Sequence, residues 1–349
     1  MAPESEERAA TAATAATGPH YQTETRLPGA ATAATAVYRC PLEASAEAPP
    51  HPEARPTRVE TGRASPTSVR YAPARLLGVN PQPDRPPLSA DAAIRDVVKP
   101  DGPVQRIDVV TETGSTNADL LARHAAGEDI RGAVLLAEHQ SAGRGRNGRS
   151  WSAPPRSQIA LSIGVDAEGV PAEGWGWLPL LTGVALVDAV RESTGIEAGV
   201  KWPNDVLVGS GKLAGILAEV AAPDPIIVVG LGLNVTLTEQ EAPDPRATSL
   251  QMLGAQMLDR EVVLAALLRA LATRIDRWRT AQGPDQALVD DYRQRSLTLG
   301  ARVRALMPGD REITGAATDI DSVGRLNIDT GADVVTVSAG DITHLRPAE

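Results

Sequence analysis

The segment GRGRNGRSW, residues 143–151, most limits which folds are open to this chain. Its three glycines match the G-x-G-x-x-G pattern of dinucleotide-binding βαβ folds, in which a strand precedes the loop and a helix follows it directly. A strand is predicted before the loop, at residues 133–140. Two prolines, at 154 and 155, and a second apolar strand at residues 158–165 follow it. Because the required helix is missing, we exclude a dinucleotide-binding fold.

The arginines of this loop, Arg144, Arg146 and Arg149, are open to two interpretations. A solvated basic surface loop is the ordinary one. However, the intervening glycines let the backbone approach a ligand closely, and guanidinium groups bind phosphate and carboxylate. The chain carries a net charge of -10, so this concentrated positive loop favours an anionic small molecule. We therefore predict neither DNA nor a membrane as a partner, and a loop that becomes ordered when the anion binds.

Lysine is rare in this chain, which has 34 Lys and Arg residues but lysine only at Lys99, Lys201 and Lys212. A lysine retained in such a background is a candidate for chemistry that a guanidinium cannot perform, although Lys99 lies in a plain linker-like stretch. If residues 205–209 form a strand that reverses into a second strand at 212–220, Lys201 and Lys212 face one pocket. Asp205 would then hold Mg²⁺ or orient a lysine, or it is simply a turn former.

A polar run at residues 113–120, TGSTNADL, lies where a strand gives way to a helix. Ser115, Thr116 or Asn117 can cap the helix, which is the ordinary interpretation. The same three side chains can also bind a small polar head group, and the two roles are compatible.

The strand VGLGLNV, residues 229–235, contains two glycines that weaken it unless something approaches it closely. Gly230 and Gly232 therefore indicate either a bulged core strand or a close contact. Asn234, at the end of this strand, can contact an adenine or a phosphate.

The chain divides into three parts by composition. Residues 1–85 are rich in Ala, Thr and Pro and are predicted to be disordered. From there an α+β core is predicted, with helices at 89–98, 117–127, 177–195, 260–278 and 285–296 among its strands. After residue 300, short alternating strands with Gly and Asp turns predict a small β-barrel.

Several classes of protein are excluded by what the sequence lacks. A single cysteine, Cys40, rules out an internal disulfide framework and a cysteine-based metal site. The N-terminus is not of the secretory type, and no apolar run is long enough to span a bilayer. We therefore expect a cytoplasmic protein.

Taken together, GRGRNGRSW, KWPND and KLAGIL resemble the catalytic domain of biotin–protein ligases, and the resemblance covers residues 86–349. It implies a central mixed β-sheet with helices, similar to class II synthetases, at 86–298 and an SH3-like β-barrel at 299–349. It also implies activation of biotin with ATP to biotinyl-5'-adenylate, and transfer of biotin to a lysine of a biotin carboxyl carrier domain. The acceptors would be acyl-CoA, acetyl-CoA or pyruvate carboxylases, and the enzyme a monomer or weak homodimer. Residues 1–85 show no helix-turn-helix, so no repressor activity is expected.

The resemblance implies roles for individual residues. Biotin would be bound by Ser115, Thr116, Asn117, Gln140, Arg144, Gly145, Arg146 and Lys212. ATP would be bound by Arg146, Arg149, Trp151, Lys201, Asn204 and Asn234. Lys212 and Arg146 would be catalytic, and Asp205 would hold Mg²⁺. A lipoate or octanoate ligase is the alternative enzyme, and a non-enzymatic biotin or nucleotide sensor is the alternative from another class.

Overall fold

The computed structural model describes residues 85–89, 97–307, 311–338 and 341–344. These residues confirm the α+β prediction. The tail predicted to be disordered lies outside the described residues except for Arg85, and so does most of the helix predicted at residues 89–98.

Among the described residues, the central sheet has seven strands, and the predicted strands coincide with members of it. They are β1 (Arg106–Val110), β2 (Ala133–Ala137), β3 (Gln158–Asp166), β4 (Gly199–Lys201), β5 (Asp205–Val208), β6 (Gly211–Val220) and β7 (Ile226–Asn234). Their spatial order is β1-β2-β3-β7-β6-β5-β4. Strands β1 and β2 are parallel, whereas every other neighbouring pair is antiparallel. The sheet is therefore mixed, as the resemblance implied.

Helices cover both faces of this sheet, which explains why its strands are apolar without alternation. The helices are α1 (Thr116–Ala125), α2 (Leu178–Thr194), α3 (Arg260–Thr280) and α4 (Gln286–Arg295). On β7, Ile226 and Val228 pack with Leu120 of α1. Their neighbours Ile227 and Val229 belong to the larger core that contains α2 and α3. Side chains alternate along a strand, so each face receives every second apolar residue.

A separate five-stranded antiparallel sheet forms the C-terminal part of the described chain. Its strands are β8 (Arg302–Met307), β9 (Arg311–Ile320), β10 (Leu326–Asp329), β11 (Val334–Val337) and β12 (Asp341–His344), in the order β11-β10-β9-β8-β12. In β8, Val303 and Ala305 are buried while Arg302 and Arg304 are exposed. This alternation fits the predicted small barrel and an SH3-like domain.

Two tryptophans fix the turn between β9 and β10 against the core. The indole of Trp177 donates to the backbone oxygen of Ser322 at 3.0 Å, and that of Trp202 donates to the backbone oxygen of Gly324 at 3.0 Å. Trp202 belongs to the KWPND motif, so the C-terminal sheet is anchored beside the predicted site. None of the helices in the described segments is long and apolar enough to cross a membrane.

The segment at residues 85–89 is bound to the core by its own polar groups. The Arg85 guanidinium donates to the side chain and backbone of Thr236 and to both carboxylate oxygens of Glu241. Arg260 donates to the backbone oxygen of Pro86 at 2.6 Å. Arg85, the last residue of the predicted tail, is therefore part of the ordered core.

Candidate active site

One cavity of about 500 Å³ collects all of the predicted site residues. They come from the start of α1, the segment after β2, the Arg/Gly loop (Gly143–Trp151), the β4–β5 hairpin, β6 and β7. The residues are Ser115, Thr116, Asn117, Gln140, Arg144, Gly145, Arg146, Arg149, Trp151, Lys201, Asn204, Asp205, Lys212 and Asn234. Ile342 and Thr343 of β12 also line it, so the C-terminal sheet contributes to its wall.

The N-terminus of α1 forms a polar wall at one end of the cavity. Ser115 is the N-cap, and its hydroxyl accepts from the backbone nitrogen of Ala118 at 3.5 Å. The backbone and hydroxyl of Thr116 both donate to Oε1 of Gln140, at 2.9 and 3.1 Å. Ser162 of β3 donates to Oδ1 of Asn117 at 2.6 Å. Ser115, Thr116 and Asn117 are at most 5% exposed, so this wall is held in one orientation.

The two glycines of β7 make room for site side chains. A Cβ on Gly230 would lie 2.1 Å from Oδ1 of Asn117, and a Cβ on Gly232 would lie 2.4 Å from Nε1 of Trp151. Strand β7 pairs with β3 and β6 through both positions without a register shift. The structure therefore favours the close-contact interpretation of these glycines over a bulged strand.

The Arg/Gly loop is a small hairpin rather than the start of a helix. The backbone nitrogen of Gly145 donates to the oxygen of Arg149 at 2.7 Å, and that of Trp151 donates to the oxygen of Gly143 at 2.8 Å. At the tip, Asn147 and Gly148 have φ values of 55° and 71°. Glycine adopts this left-handed region without a steric cost, and asparagine tolerates it better than most residues. A strand follows, which agrees with the exclusion of a dinucleotide-binding fold.

Side chains of the loop connect it to neighbouring parts of the site. Arg144 donates to Oε2 of Glu219 at 2.8 Å, and Arg146 donates to Oδ1 of Asn204 at 3.3 Å. Asn204 in turn donates to the backbone oxygen of Ile216 at 2.8 Å. The loop thus contacts β6 directly near its end, at Glu219, and indirectly at its middle, where Asn204 connects Arg146 to Ile216.

Lys212 lies at the start of β6, between an acid and an aromatic ring. Its Nζ atom is 2.7 Å from Oδ1 of Asp205 and 5.6 Å from the ring centroid of Trp151. The indole of Trp151 donates to Oε1 of Gln158 at 2.6 Å, which fixes the ring. A Cβ on Gly215 would approach both Trp151 and Lys212, within 3.2 and 3.4 Å. Because β5 reverses into β6 as predicted, Lys201 and Lys212 line the same cavity.

A segment after β7, residues 246–248, forms hydrogen bonds with the backbone of Lys212. The backbone nitrogen of Lys212 donates to the oxygen of Arg246 at 2.6 Å, and its oxygen accepts from Thr248 at 3.0 Å. The buried side chain of Asn234 donates to the backbone oxygen of Thr248 at 2.9 Å. Hydrogen bonds from Arg246 lower the pKa of Asp244 to about 2, so these two side chains form a charged pair at this rim of the cavity.

Sequence reasoning missed several polar residues of the site, namely Gln158, Ser162, Glu219, Asp244 and Arg246. Gln158 and Ser162 carried a usable signal, because both are polar positions within the otherwise apolar strand β3. Glu219 carried none, since an acid near the end of a strand is an ordinary surface residue.

Comparison with known proteins gives a consistent result. Residues 111–234 match the biotin/lipoate A/B protein ligase family, and residues 298–345 match the biotin protein ligase C terminal domain. The chain is 52% identical over 265 residues to the biotin--[acetyl-CoA-carboxylase] ligase of Mycobacterium tuberculosis, covering 75% of this chain and 97% of that relative. It is 32% identical to the bifunctional ligase/repressor BirA of Escherichia coli, covering 70% of this chain and 75% of that relative.

Among solved structures, it is similar to the biotin protein ligase from Aquifex aeolicus in complex with biotin and ATP. That match has a TM-score of 0.59 and 26% identity, and it covers 69% of this chain and 99% of the other.

Proposed function

The chain belongs to the biotin/lipoate A/B protein ligase family and has biotin protein ligase function, and from this premise we propose how its cavity residues divide the reaction. A single observation carries the assignment. One cavity contains a rigid polar wall, an arginine loop and two lysines, of which Lys212 lies between Asp205 and the ring of Trp151. The polar wall suits a neutral ring system and the arginine loop suits a triphosphate. Lys212 suits the carboxylate that reacts with the triphosphate.

The biotin ureido ring binds at the wall formed by Ser115, Thr116, Asn117 and Gln140. A ureido group offers one acceptor and two donors, so it requires protein groups of both kinds in fixed positions. The hydrogen bonds within the wall support this role because they hold those groups before the ligand arrives. Arg144, Gly145 and Arg146 close over the bound biotin.

ATP binds on the other side of Lys212. Trp151 offers an aromatic face for the adenine, while Arg146, Arg149, Lys201 and Asn204 lie along the phosphates. Asn234 acts through the backbone of Thr248, which its side chain holds and which itself braces Lys212.

Asp205 is the residue that would hold Mg²⁺. No group of three or more His, Cys, Asp or Glu side chains able to hold a metal occurs in the described residues. Mg²⁺ commonly takes one or two carboxylates and completes its shell with phosphates and water, so the carboxylate of Asp205 fits this role. When bound, the ion would neutralise part of the phosphate charge.

Adenylation and transfer follow from this arrangement. The biotin carboxylate attacks the α-phosphorus of ATP, the new O–P bond replaces the bond to pyrophosphate, and biotinyl-5'-adenylate forms. Negative charge develops on the phosphoryl oxygens, where Lys212 and Arg146 stabilise it. The deprotonated amine of the acceptor lysine then attacks the acyl carbonyl, an amide forms and AMP leaves. The closed loop excludes water from the mixed anhydride until then.

Pyrophosphate release tests this function directly. The protein should release pyrophosphate from ATP with biotin but not with lipoate or octanoate, and it should attach biotin to a purified carrier domain. Tight biotin binding without transfer would instead identify a sensor. We expect no specific binding to an operator duplex, and detection of such binding would contradict the assignment of a ligase without repressor activity.

The acceptor carrier domain docks, in this proposal, in an outer groove of about 790 Å³. This groove shares the Arg/Gly loop and the KWPND turn with the inner cavity, so an amine entering from the groove reaches the same site. Its far side is formed by Glu173, Pro179 and residues 323–325, in the turn between β9 and β10.

Reversing the charge at Glu173 should therefore weaken transfer alone. Because Glu173 is exposed and lines the groove, Glu173→Arg is expected to raise the KM for the carrier domain by at least about threefold, as is typical of charges at an interface rim. Pyrophosphate exchange should stay unchanged. The matched control is Glu168→Arg, an exposed position that does not line the groove. An equal effect of both variants on the KM would argue against docking in the groove.

A cytoplasmic location and a monomeric or weakly dimeric state remain predictions. The acceptor carboxylases named above would be found where ATP is available, which favours the cytoplasmic location. Sedimentation with and without biotin and ATP measures the second.

A further inference from the structure

Glu219, near the end of β6, has no part in the reaction described above, yet two site residues share one of its oxygens. Oε2 of Glu219 accepts from Nδ2 of Asn117 and from the guanidinium of Arg144, both at 2.8 Å. Asn117 belongs to the polar wall at α1, and Arg144 belongs to the Arg/Gly loop. A single carboxylate oxygen therefore joins the two parts of the site that would enclose biotin.

The contact with Asn117 completes the bonding of a buried amide. Nδ2 of Asn117 also donates to the backbone oxygen of Leu217 at 3.1 Å, while its Oδ1 accepts from Ser162. Asn117 is 4% exposed, so its amide is fixed by protein groups rather than by water. Glu219 thus helps to hold the amide in the orientation that a ligand meets.

The contact with Arg144 has a different character because it is an ion pair near solvent. The side chain of Arg144 is 42% exposed and that of Glu219 is 27% exposed. Pairs of this kind are weak on their own and are screened by salt, so this one cannot by itself keep the loop closed. Its effect is on the fraction of time that the loop spends closed, rather than on whether the chain folds.

We propose that Glu219 is a positioning residue that couples closure of the Arg/Gly loop to the biotin-binding wall. The proposal rests on the function assigned above to Asn117 and Arg144. When Arg144 reaches Glu219, it contacts the same oxygen that holds Asn117, so loop closure and order in the wall reinforce one another. A ligand that fills the wall then favours the closed loop, and the closed loop retains the ligand.

Two substitutions separate the two contacts of Glu219. Glu219→Gln keeps an oxygen that can accept from Asn117 but removes the charge that attracts Arg144. Glu219→Ala removes both contacts. The matched control is Glu192→Gln, because Glu192 forms an exposed ion pair with Arg269 that has no contact with the cavity.

The measurements are the KM for biotin, kcat for pyrophosphate exchange and the rate at which preformed biotinyl-5'-adenylate is lost, followed by rapid gel filtration. Glu219→Gln should lose the adenylate about two- to fivefold faster, with a nearly unchanged KM for biotin. Glu219→Ala should show faster loss and also a raised KM for biotin. For both variants, the ratio of the rate of adenylate loss to that of the parent should fall at high salt. The parent's own ion pair is screened there, so the parent also loses the adenylate faster.

The outcomes distinguish this inference from the function on which it rests. A parent protein without biotin-dependent exchange would overturn both. An active parent whose Glu219→Gln variant retains the adenylate normally would overturn the coupling alone. A uniform fall in kcat and in thermal stability, without faster loss of the adenylate, would show that Glu219 is only a structural brace.

Discussion

Replacing Lys212 with arginine is expected to slow biotin adenylation by at least about 100-fold, the size of effect seen when one pre-positioned charge donor is removed from a transition state. The compact ammonium group can contact a phosphoryl oxygen and the attacking carboxylate together. A planar guanidinium is larger and directs its donors in a fixed fork, so it cannot occupy the same point.

Stability should hardly change in this variant, for a reason visible in the surroundings of Lys212. An arginine can pair with Asp205 through two parallel hydrogen bonds and can stack on Trp151 at least as well as a lysine does. These contacts would draw the guanidinium toward the wall of the cavity and away from the reacting atoms. The thermal midpoint is therefore expected to stay close to that of the parent protein while the rate falls.

Lys99→Arg provides the matched control, because it makes the same chemical change at an exposed lysine outside the cavity. Pre-steady-state measurement of pyrophosphate release isolates adenylation from the transfer step. Near-normal adenylation by Lys212→Arg would mean that any cation suffices at this position, and the catalytic role proposed for Lys212 would be lost.

The sequence was informative where a local pattern determines the structure. The apolar strand 158–165 after two prolines excluded a helix, and the reversal between β5 and β6 could be expected from the glycines at 209 and 211. Because the reversal sets the register, it also brought Lys201 and Lys212 to one cavity. Such inferences succeed because each depends on neighbours that are close in the chain.

Contacts between distant strands were beyond such reasoning. Glu219 meets Asn117 across 102 positions in the chain, and this contact depends on the pairing of β6 with β7 and on the packing of α1. Asn234 shows the converse case. It was predicted from its place at the end of a strand to contact the nucleotide, but its amide nitrogen is bound to the backbone of Thr248. Its position was predictable, whereas its partner was not.

Adding one methyl group at Gly230 or at Gly232 is expected to damage the two halves of the site separately. In Gly230→Ala the new Cβ would lie 2.1 Å from Oδ1 of Asn117, so the amide must move and lose its bond from Ser162. The KM for biotin should rise by at least about tenfold, since displacements near 1 Å and single lost hydrogen bonds have effects of this order. The KM for ATP should change little.

Gly232→Ala should give the opposite pattern, because its Cβ would collide with the indole of Trp151, 2.4 Å from Nε1. A displaced ring loses its bond to Gln158 and its place beside Lys212, so the KM for ATP should rise by at least about tenfold and adenylation should slow.

Gly114→Ala is the control for both variants, since a Cβ there meets no atom within 4 Å. The two glycines lie on the same face of one strand and both substitutions overpack a dense interior, so similar losses of stability are expected from each. Equal effects of both variants on both substrates would mean that only this shared loss matters. Opposite effects on the two KM values would locate biotin beside Asn117 and ATP beside Trp151, with Lys212 at the boundary where the carboxylate meets the α-phosphate.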